Sequence, residues 1–366
     1  MTTKDSRIPS DSDKKNIQST ASKKILIEKF SKSSNDIQNE SKGIIESEKE
    51  RYKNQKEISR SLKSFPKRKN CNCCGESLGG EIFMRRKLSF IECAVCGHIQ
   101  TMNMPPSDYP SRFTKTSTFS EAYPQLSVSE YLDRQNRIYK PKLDWVFSSL
   151  IKLGFKEIEL ARKKWIEIGS GAGYFLSALR ERGAGNIVGL EKDKHLYLDS
   201  VKHNSDVEIH NWNETFDKAI ETHNADIFCS FFVLEHIDNL PQVWKKIREK
   251  PKGTLFVFSV PVFGLSCIFE EVFNEQYARN LDGVIHTQLF TDQSIKYAIN
   301  LAGCSIISEW IFGQDVSDLL RFLRNNKDTK IHAKLNTKLN AIHDDIQASF
   351  DHARLSDQRH FIAVRE

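Results

Sequence analysis

KKWIEIGSGAGYF, Lys163 to Phe175, is the stretch whose reading decides the fold. The apolar run Trp165 to Ile168 reads as a buried strand, and YFLSALRERG, ending at Gly183, reads as an amphipathic helix. Between them Gly169, Gly171 and Gly173 stand where a strand turns into a helix, a place that needs positive φ and lets a ligand approach the backbone. Downstream the alternation repeats. NIVGLE, VEIH, DIFCSF and GTLFVFSV read as strands, and DKHLYLDSVKHN and NLPQVWKKIREK, the latter capped by Asp238 or Asn239, read as helices. A helix from Thr291 to a stop at Gly303 follows, then strands CSIISEWIF and HFIAVRE, separated by outer helices near residues 315–357. This order implies an α/β fold, a parallel sheet with helices on both faces.

The ligand class follows from acids around the turn. Glu191 ends the second strand eighteen residues after Gly173. A carboxylate there accepts both ribose hydroxyls of an adenosine and disfavours a 2′-phosphate. A dinucleotide site wants a third glycine to bring the helix N-terminus against a pyrophosphate, and that position is Leu176. Glu167, two residues before the first glycine, would repel a pyrophosphate but suits a ligand with an amino group and a sulfonium. The expected ligand is S-adenosylmethionine (SAM).

On these residues the chain resembles a class I SAM-dependent methyltransferase: EIGSGAGYF matches the family's first motif, GLEKD its second and DIFCSFFVLEHIDN its fourth. The resemblance implies a Rossmann-like sheet over about residues 164–366, led in by helices from Ser129. It also implies that Gly169, Gly171 and Gly173 line the methionine and ribose, Glu167 orients the amino group and Glu191 holds the ribose. Asn211 and Trp212, in HNWNETF, would flank the adenine.

FFVLEHIDN lies at the end of the fourth strand, the edge where open α/β sheets bind ligands. Methyl transfer to a hydroxyl or carbon acid needs a proton acceptor near the methyl group, and histidine titrates in the right range. His236 and Glu235 are therefore the base candidates. A histidine within GVIHTQLFT recurs in related enzymes in the segment roofing the acceptor, which makes His286 a substrate-contact candidate; an ordinary loop histidine is the alternative.

Five of the eight cysteines lie within residues 71–96. Cys71-x-x-Cys74-Gly75 and Cys93-x-x-Cys96-Gly97 form two knuckles whose thiolates can converge on one tetrahedral ion, so a structural zinc on Cys71, Cys74, Cys93 and Cys96 is expected, with Cys73 as a spare neighbour. A rubredoxin-type iron takes the same ligands and fits a methyltransferase less well. A zinc-ribbon module at about 67–104, a tyrosine-containing linker with helices at 105–163 and a class I domain together resemble bacterial sugar and polysaccharide methyltransferases. That resemblance implies a sugar or sugar-nucleotide acceptor, with Tyr109 and Tyr123 near it.

Charge is uneven. Residues 1–70 carry 18 Lys/Arg against 10 Asp/Glu, whereas the remainder carries 36 against 38. Residues 1–66 are polar and basic and are expected to be a disordered leader, with KKILIEKF forming at most a transient helix. A near-neutral folded part argues against a general nucleic-acid binder. TLFVFSVPVFGLSCIF, the longest apolar run, is cut by Pro261 and Gly264, so no membrane span is expected, and neither is a secretory signal; a cytoplasmic protein follows. Two rivals stand beside the sugar reading. An RNA methyltransferase would use the module and leader on a polyanion, although FFVLEH replaces the NPPY or DPPY signature of base amino-methylation. A non-catalytic adapter would keep the fold as scaffold, although the intact glycine turn and Glu191 then have no purpose.

Overall fold

The structure, a computed structural model, describes residues 26–36, 57, 59–85, 87–104, 126–272, 280, 281, 283, 286–325 and 330–366. In chain order the strands are β1 (Ile27–Phe30), β2 (Ile82–Arg85), β3 (Leu88–Glu92), β4 (Ile99–Thr101), β5 (Lys164–Ile168), β6 (Asn186–Glu191), β7 (Glu208–Asn211), β8 (Ile227–Phe231), β9 (Leu255–Pro261), β10 (Gln288–Leu289), β11 (Cys304–Ile311) and β12 (Gln358–Arg365).

Eight of them form one sheet in the order β1-β11-β12-β9-β8-β5-β6-β7. β5 through β9 run parallel, and the order reverses between β5 and β8, opening the switch-point crevice at their carboxyl ends. β8 and β9 are buried at every residue, as strands covered on both faces must be. Their side chains alternate between two cores: Phe228 and Phe256 pack with Trp244 on one face, Cys229 and Val257 with Trp165 and Phe175 on the other.

Two expectations are corrected. The sheet is mixed, because β12 lies antiparallel between β9 and β11. Part of the stretch read as a leader is a strand: Ile27–Phe30 pairs parallel with β11 instead of forming a transient helix. The edge of β11 offers unpaired backbone groups, and Ser308 Oγ, the Trp310 indole and Arg354 bind Ile27 O, Ser31 O and Glu28 there. A helical turn also occupies residues 59–64. Residues 1–25, 37–56 and 58 of the leader, and residues 105–125 with Tyr109 and Tyr123, lie outside the described residues.

The second sheet has the order β10-β4-β3-β2 and is antiparallel. Three strands come from the cysteine-rich module, but β10 comes from the segment after His286. Leu88, Phe90, Ile99 and Leu289 share its small core. The segment read as a separate module is therefore closed by a strand from the main domain. Among the described residues no helix is long and apolar enough to cross a membrane.

Candidate active site

The glycine turn joins β5 to the helix Tyr174–Glu181. Gly169, Gly171 and Gly173 all have positive φ, from 55° to 79°. Their surroundings differ. A Cβ on Gly169 would lie 2.5 Å from Val233 Cγ2, and one on Gly173 would strike Ser200 Oγ and lie 2.6 Å from Asn204 Nδ2. A Cβ on Gly171 would meet nothing within 4 Å. Gly171 is thus the open position, beside which a ligand has room. This separates two variants: Gly173→Ala is expected to cost about 2–4 kcal/mol of stability through strain and overpacking. Gly171→Ala should fold with a loss nearer 1 kcal/mol and lose SAM affinity instead. Denaturant melts and calorimetric SAM titrations of both check this; equal stability losses would contradict it.

Glu191, 7% exposed, accepts hydrogen bonds from Gly171 N and Asp193 N, both at 2.7 Å. Two carboxylate oxygens have about four lone-pair sites, so acceptor capacity remains for ribose hydroxyls. Burial raises its pKa and the backbone donors oppose the rise. Asn211 and Trp212 sit beside Glu191. The Asn211 amide donates to the carbonyls of Glu191 and Lys192, and Trp212 N donates to Glu191 O, so both brace the Glu191 loop. The Trp212 indole stands edge-on to His223.

Glu167 is buried, 3% exposed, and its Oε2 has no hydrogen-bond partner. Burial pushes its pKa well above the usual carboxylate range; Lys142 opposes this and Glu191 adds to it. An orphaned buried carboxylate oxygen is a costly feature that a cationic ligand would relieve. Lys142 went unnoticed in the sequence. Its ammonium lies within about 5 Å of the rings of Tyr139, Phe231 and Phe232, an aromatic surround of the kind that stabilises a cation. Phe232 itself has a φ of 57°, unusual for a bulky residue, at the point where β8 gives way to the acidic turn.

That turn, Leu234–His236, is a single 3-10 turn. The Glu235 carboxyl is 1% exposed, its Oε2 lacks a partner, and burial lifts its pKa to about 8. His236 Nε2 lies 3.9 Å from Glu235 Oε1. His286 comes from the loop before β10 and sets its ring 5.4 Å from that of His236, nearly parallel. The structure thus brings together three of the residues singled out in the sequence. Donor atoms of Glu235, His236 and His286 lie within 4.8 Å of one another, a carboxylate and two imidazoles of the sort that divalent ions also accept.

The four cysteines of the two knuckles also converge. Sγ of Cys71 is 3.6 Å from that of Cys96, and Sγ of Cys74 is 3.8 Å from that of Cys93. A tetrahedral zinc with bonds of about 2.3 Å has sulfur–sulfur edges of about 3.8 Å. Both knuckles close alike, with Gly75 N donating to Cys71 O and Gly97 N to Cys93 O. Cys73 stands outside the group, its thiol 3.9 Å from Ser294 O.

Residues 142–309 match a family model described as a methyltransferase domain. Among curated proteins, the mitochondrial ubiquinone biosynthesis O-methyltransferase of Dictyostelium discoideum is 28% identical over 118 residues, covering 28% of this chain and 37% of that protein. Among solved structures, magnesium protoporphyrin IX methyltransferase from Synechocystis PCC 6803 with bound SAM overlays with a TM-score of 0.40 at 12% identity, covering 72% of this chain and 99% of that one. Geranyl diphosphate C-methyltransferase from Streptomyces coelicolor overlays with a TM-score of 0.41 at 10% identity, covering 66% and 86%. At these scores neither overlay bears on the acceptor. The glycine turn and its two acids lie within the residues that match the methyltransferase-domain model.

Proposed function

We propose that the protein methylates a sugar or sugar nucleotide on oxygen or carbon, using SAM, and that its cysteine-rich module holds a structural zinc. The observation that carries the reading is the placing of two polar groups. Glu167 Oε2 waits beside the glycine turn, and the Glu235, His236 and His286 cluster follows Val233, which packs against Gly169. The first suits the donor's ammonium and the second a hydroxylated acceptor. The sugar class is supported by the order of parts, two CxxC knuckles ahead of a methyltransferase domain. Oxygen as the acceptor atom is supported by the curated relative's designation as an O-methyltransferase. Eight free thiols suit a reducing cytoplasm.

When bound, SAM supplies a methyl group on a sulfonium, so the protein's share is placement and proton removal. Near neutral pH a carboxyl with a pKa of about 8 is mostly protonated, so His236 is better suited than Glu235 to take the acceptor's proton. In methyl transfer to a hydroxyl, the His236 imidazole, on the turn after β8, would accept the acceptor's proton.

His236→Ala is expected to lower turnover about 100- to 10,000-fold while SAM affinity stays within about twofold. The assay is S-adenosylhomocysteine release over a panel of nucleoside diphosphate sugars. Retained turnover would remove His236 as the base. Turnover with RNA alone, falling steeply with salt, would move the acceptor to nucleic acid. Failure to bind SAM in calorimetry would leave the fold as a scaffold.

A further inference from the structure

The side chain of Gln288, the first residue of β10, is 1% exposed and makes four hydrogen bonds. Its Nε2 donates to Glu235 O at 3.0 Å and to Ile237 O at 2.8 Å, gripping the acidic turn on both sides of His236. Its Oε1 accepts from Asn72 Nδ2 at 2.6 Å and faces His98 Nε2 at 3.0 Å. An amide oxygen only accepts, so His98 must carry its proton on Nε2. Asn72 also donates to Ile237 O at 2.8 Å. Asn72 lies between Cys71 and Cys73 in the first knuckle, and His98 follows Gly97 of the second.

We infer that Gln288 is a positioning residue that makes the order of the Leu234–His236 turn depend on the metal-loaded module. The reasoning is one of satisfaction. Every donor and acceptor of this buried amide is used, and neither Asn72 nor His98 can keep its place if the knuckles open. Loss of either leaves Gln288 Oε1 underpaired in a dry site, where the amide has reason to turn away from Glu235 and Ile237. Two amides within the turn report this directly: His236 N donates to Val233 O and Ile237 N to Leu234 O. The inference rests on the zinc assignment and on the site reading of His236, but its test needs no acceptor.

The test is amide hydrogen exchange at residues 234–237 of the full chain, with zinc content and SAM affinity measured on the same samples. In Gln288→Leu, exchange at His236 and Ile237 is expected to rise about tenfold or more. Zinc should stay at one per chain and SAM affinity within about twofold. Wild-type protein stripped of zinc by a chelator should show the same rise. If Gln288→Leu does not fold, Asn72→Ala, which removes two donations to the clamp, takes its place. Unchanged protection in a zinc-loaded variant, or full protection in stripped protein, would overturn the inference. Wild-type protein that never binds zinc would overturn its metal half and the zinc assignment together. Absent SAM binding alone would count against the methyltransferase reading and leave the clamp to be judged by exchange.

Discussion

Glu167→Gln weakens SAM binding about 10- to 100-fold, the loss expected when a charge-assisted hydrogen bond in a dry site becomes a neutral one. Glutamine keeps the size of the side chain, so the fold should persist, and its removal of a buried acid should leave the unliganded protein no less stable. The pH dependence is more diagnostic than the affinity. In the free protein burial holds the Glu167 pKa well above its ordinary value, with Lys142 only partly offsetting this. A cation bound at Oε2 favours the ionised form, so binding expels a proton. Affinity should therefore rise with pH from the ordinary carboxylate range up through the raised value, by up to about tenfold per unit. Stability of the unliganded protein has the opposite sign. The folded-state pKa is raised, so the contribution of Glu167 is fully present below its unfolded value and is lost as pH rises through the folded value; Glu235, lifted to about 8, adds to that loss. SAM titrations in buffers of different ionisation enthalpy measure the released proton. A pH-independent affinity in wild type, or an equal proton release in Glu167→Gln, would show that the carboxylate does not meet the ligand's ammonium.

The strand–turn–helix frame of the candidate donor site was legible because its signals are local. A strand, a glycine turn, a helix and an acid at the next strand's tip lie within Lys164 to Glu191, and each is read by periodicity or by backbone need. Even the departure at Leu176 has a physical answer. A Cβ on Gly189 would lie 2.5 Å from Leu176 Cδ1, so the close helix–strand approach that dinucleotide folds obtain from a helix glycine is provided here from β6.

What escaped the sequence is non-local. β10 is two residues long and has no periodicity of its own; it is a strand because Gln288 and Leu289 pair with Gln100 and Ile99. β1 sits among polar residues of a basic stretch and is a strand because β11 presents an open edge. Lys142 belongs to a helix, Lys140–Lys152, whose apolar face is plain, yet its charge is buried among aromatic rings, two of which, Phe231 and Phe232, come from a distant segment. The place of Asn211 after the third strand says nothing of its bonds to the Glu191 and Lys192 carbonyls, which its amide holds. Position in a motif locates a residue; which partner it takes depends on chain brought in from elsewhere.

Cys93→Ser is the second large effect: it should abolish stoichiometric zinc and cost about 5 kcal/mol or more, within the roughly 10–16 kcal/mol that structural zinc contributes in small domains. The Cys71 thiol is raised by its hydrogen bond with Cys96 and by burial, and burial lifts that of Cys74 to about 12. Without a cation such thiols stay protonated and crowd one another. Zinc converts them to thiolates, so metal uptake should release protons and strengthen steeply with pH. Cys73→Ser is the control. Its sulfur is not among the converging four, so zinc should remain at one per chain with only a modest loss of stability. Metal analysis and thermal melts of the two variants separate the cases; loss of zinc in Cys73→Ser with retention in Cys93→Ser would reassign the ligands. The damage should spread beyond the module, because its knuckles are fastened to the helices that cover the sheet. Trp244, in the helix Leu240–Arg248, donates its indole N–H to Cys73 O at 2.9 Å, and Thr291, the cap of the helix Asp292–Leu301, donates to Gly97 O at 3.0 Å. Both acceptors are backbone carbonyls of the knuckles, so they keep their positions only while the knuckles are closed. A buried indole N–H that loses its acceptor has no water to replace it. The melt of Cys93→Ser should therefore move the transition of the whole methyltransferase domain, and a separate early transition confined to the module would show that these two fastenings carry little.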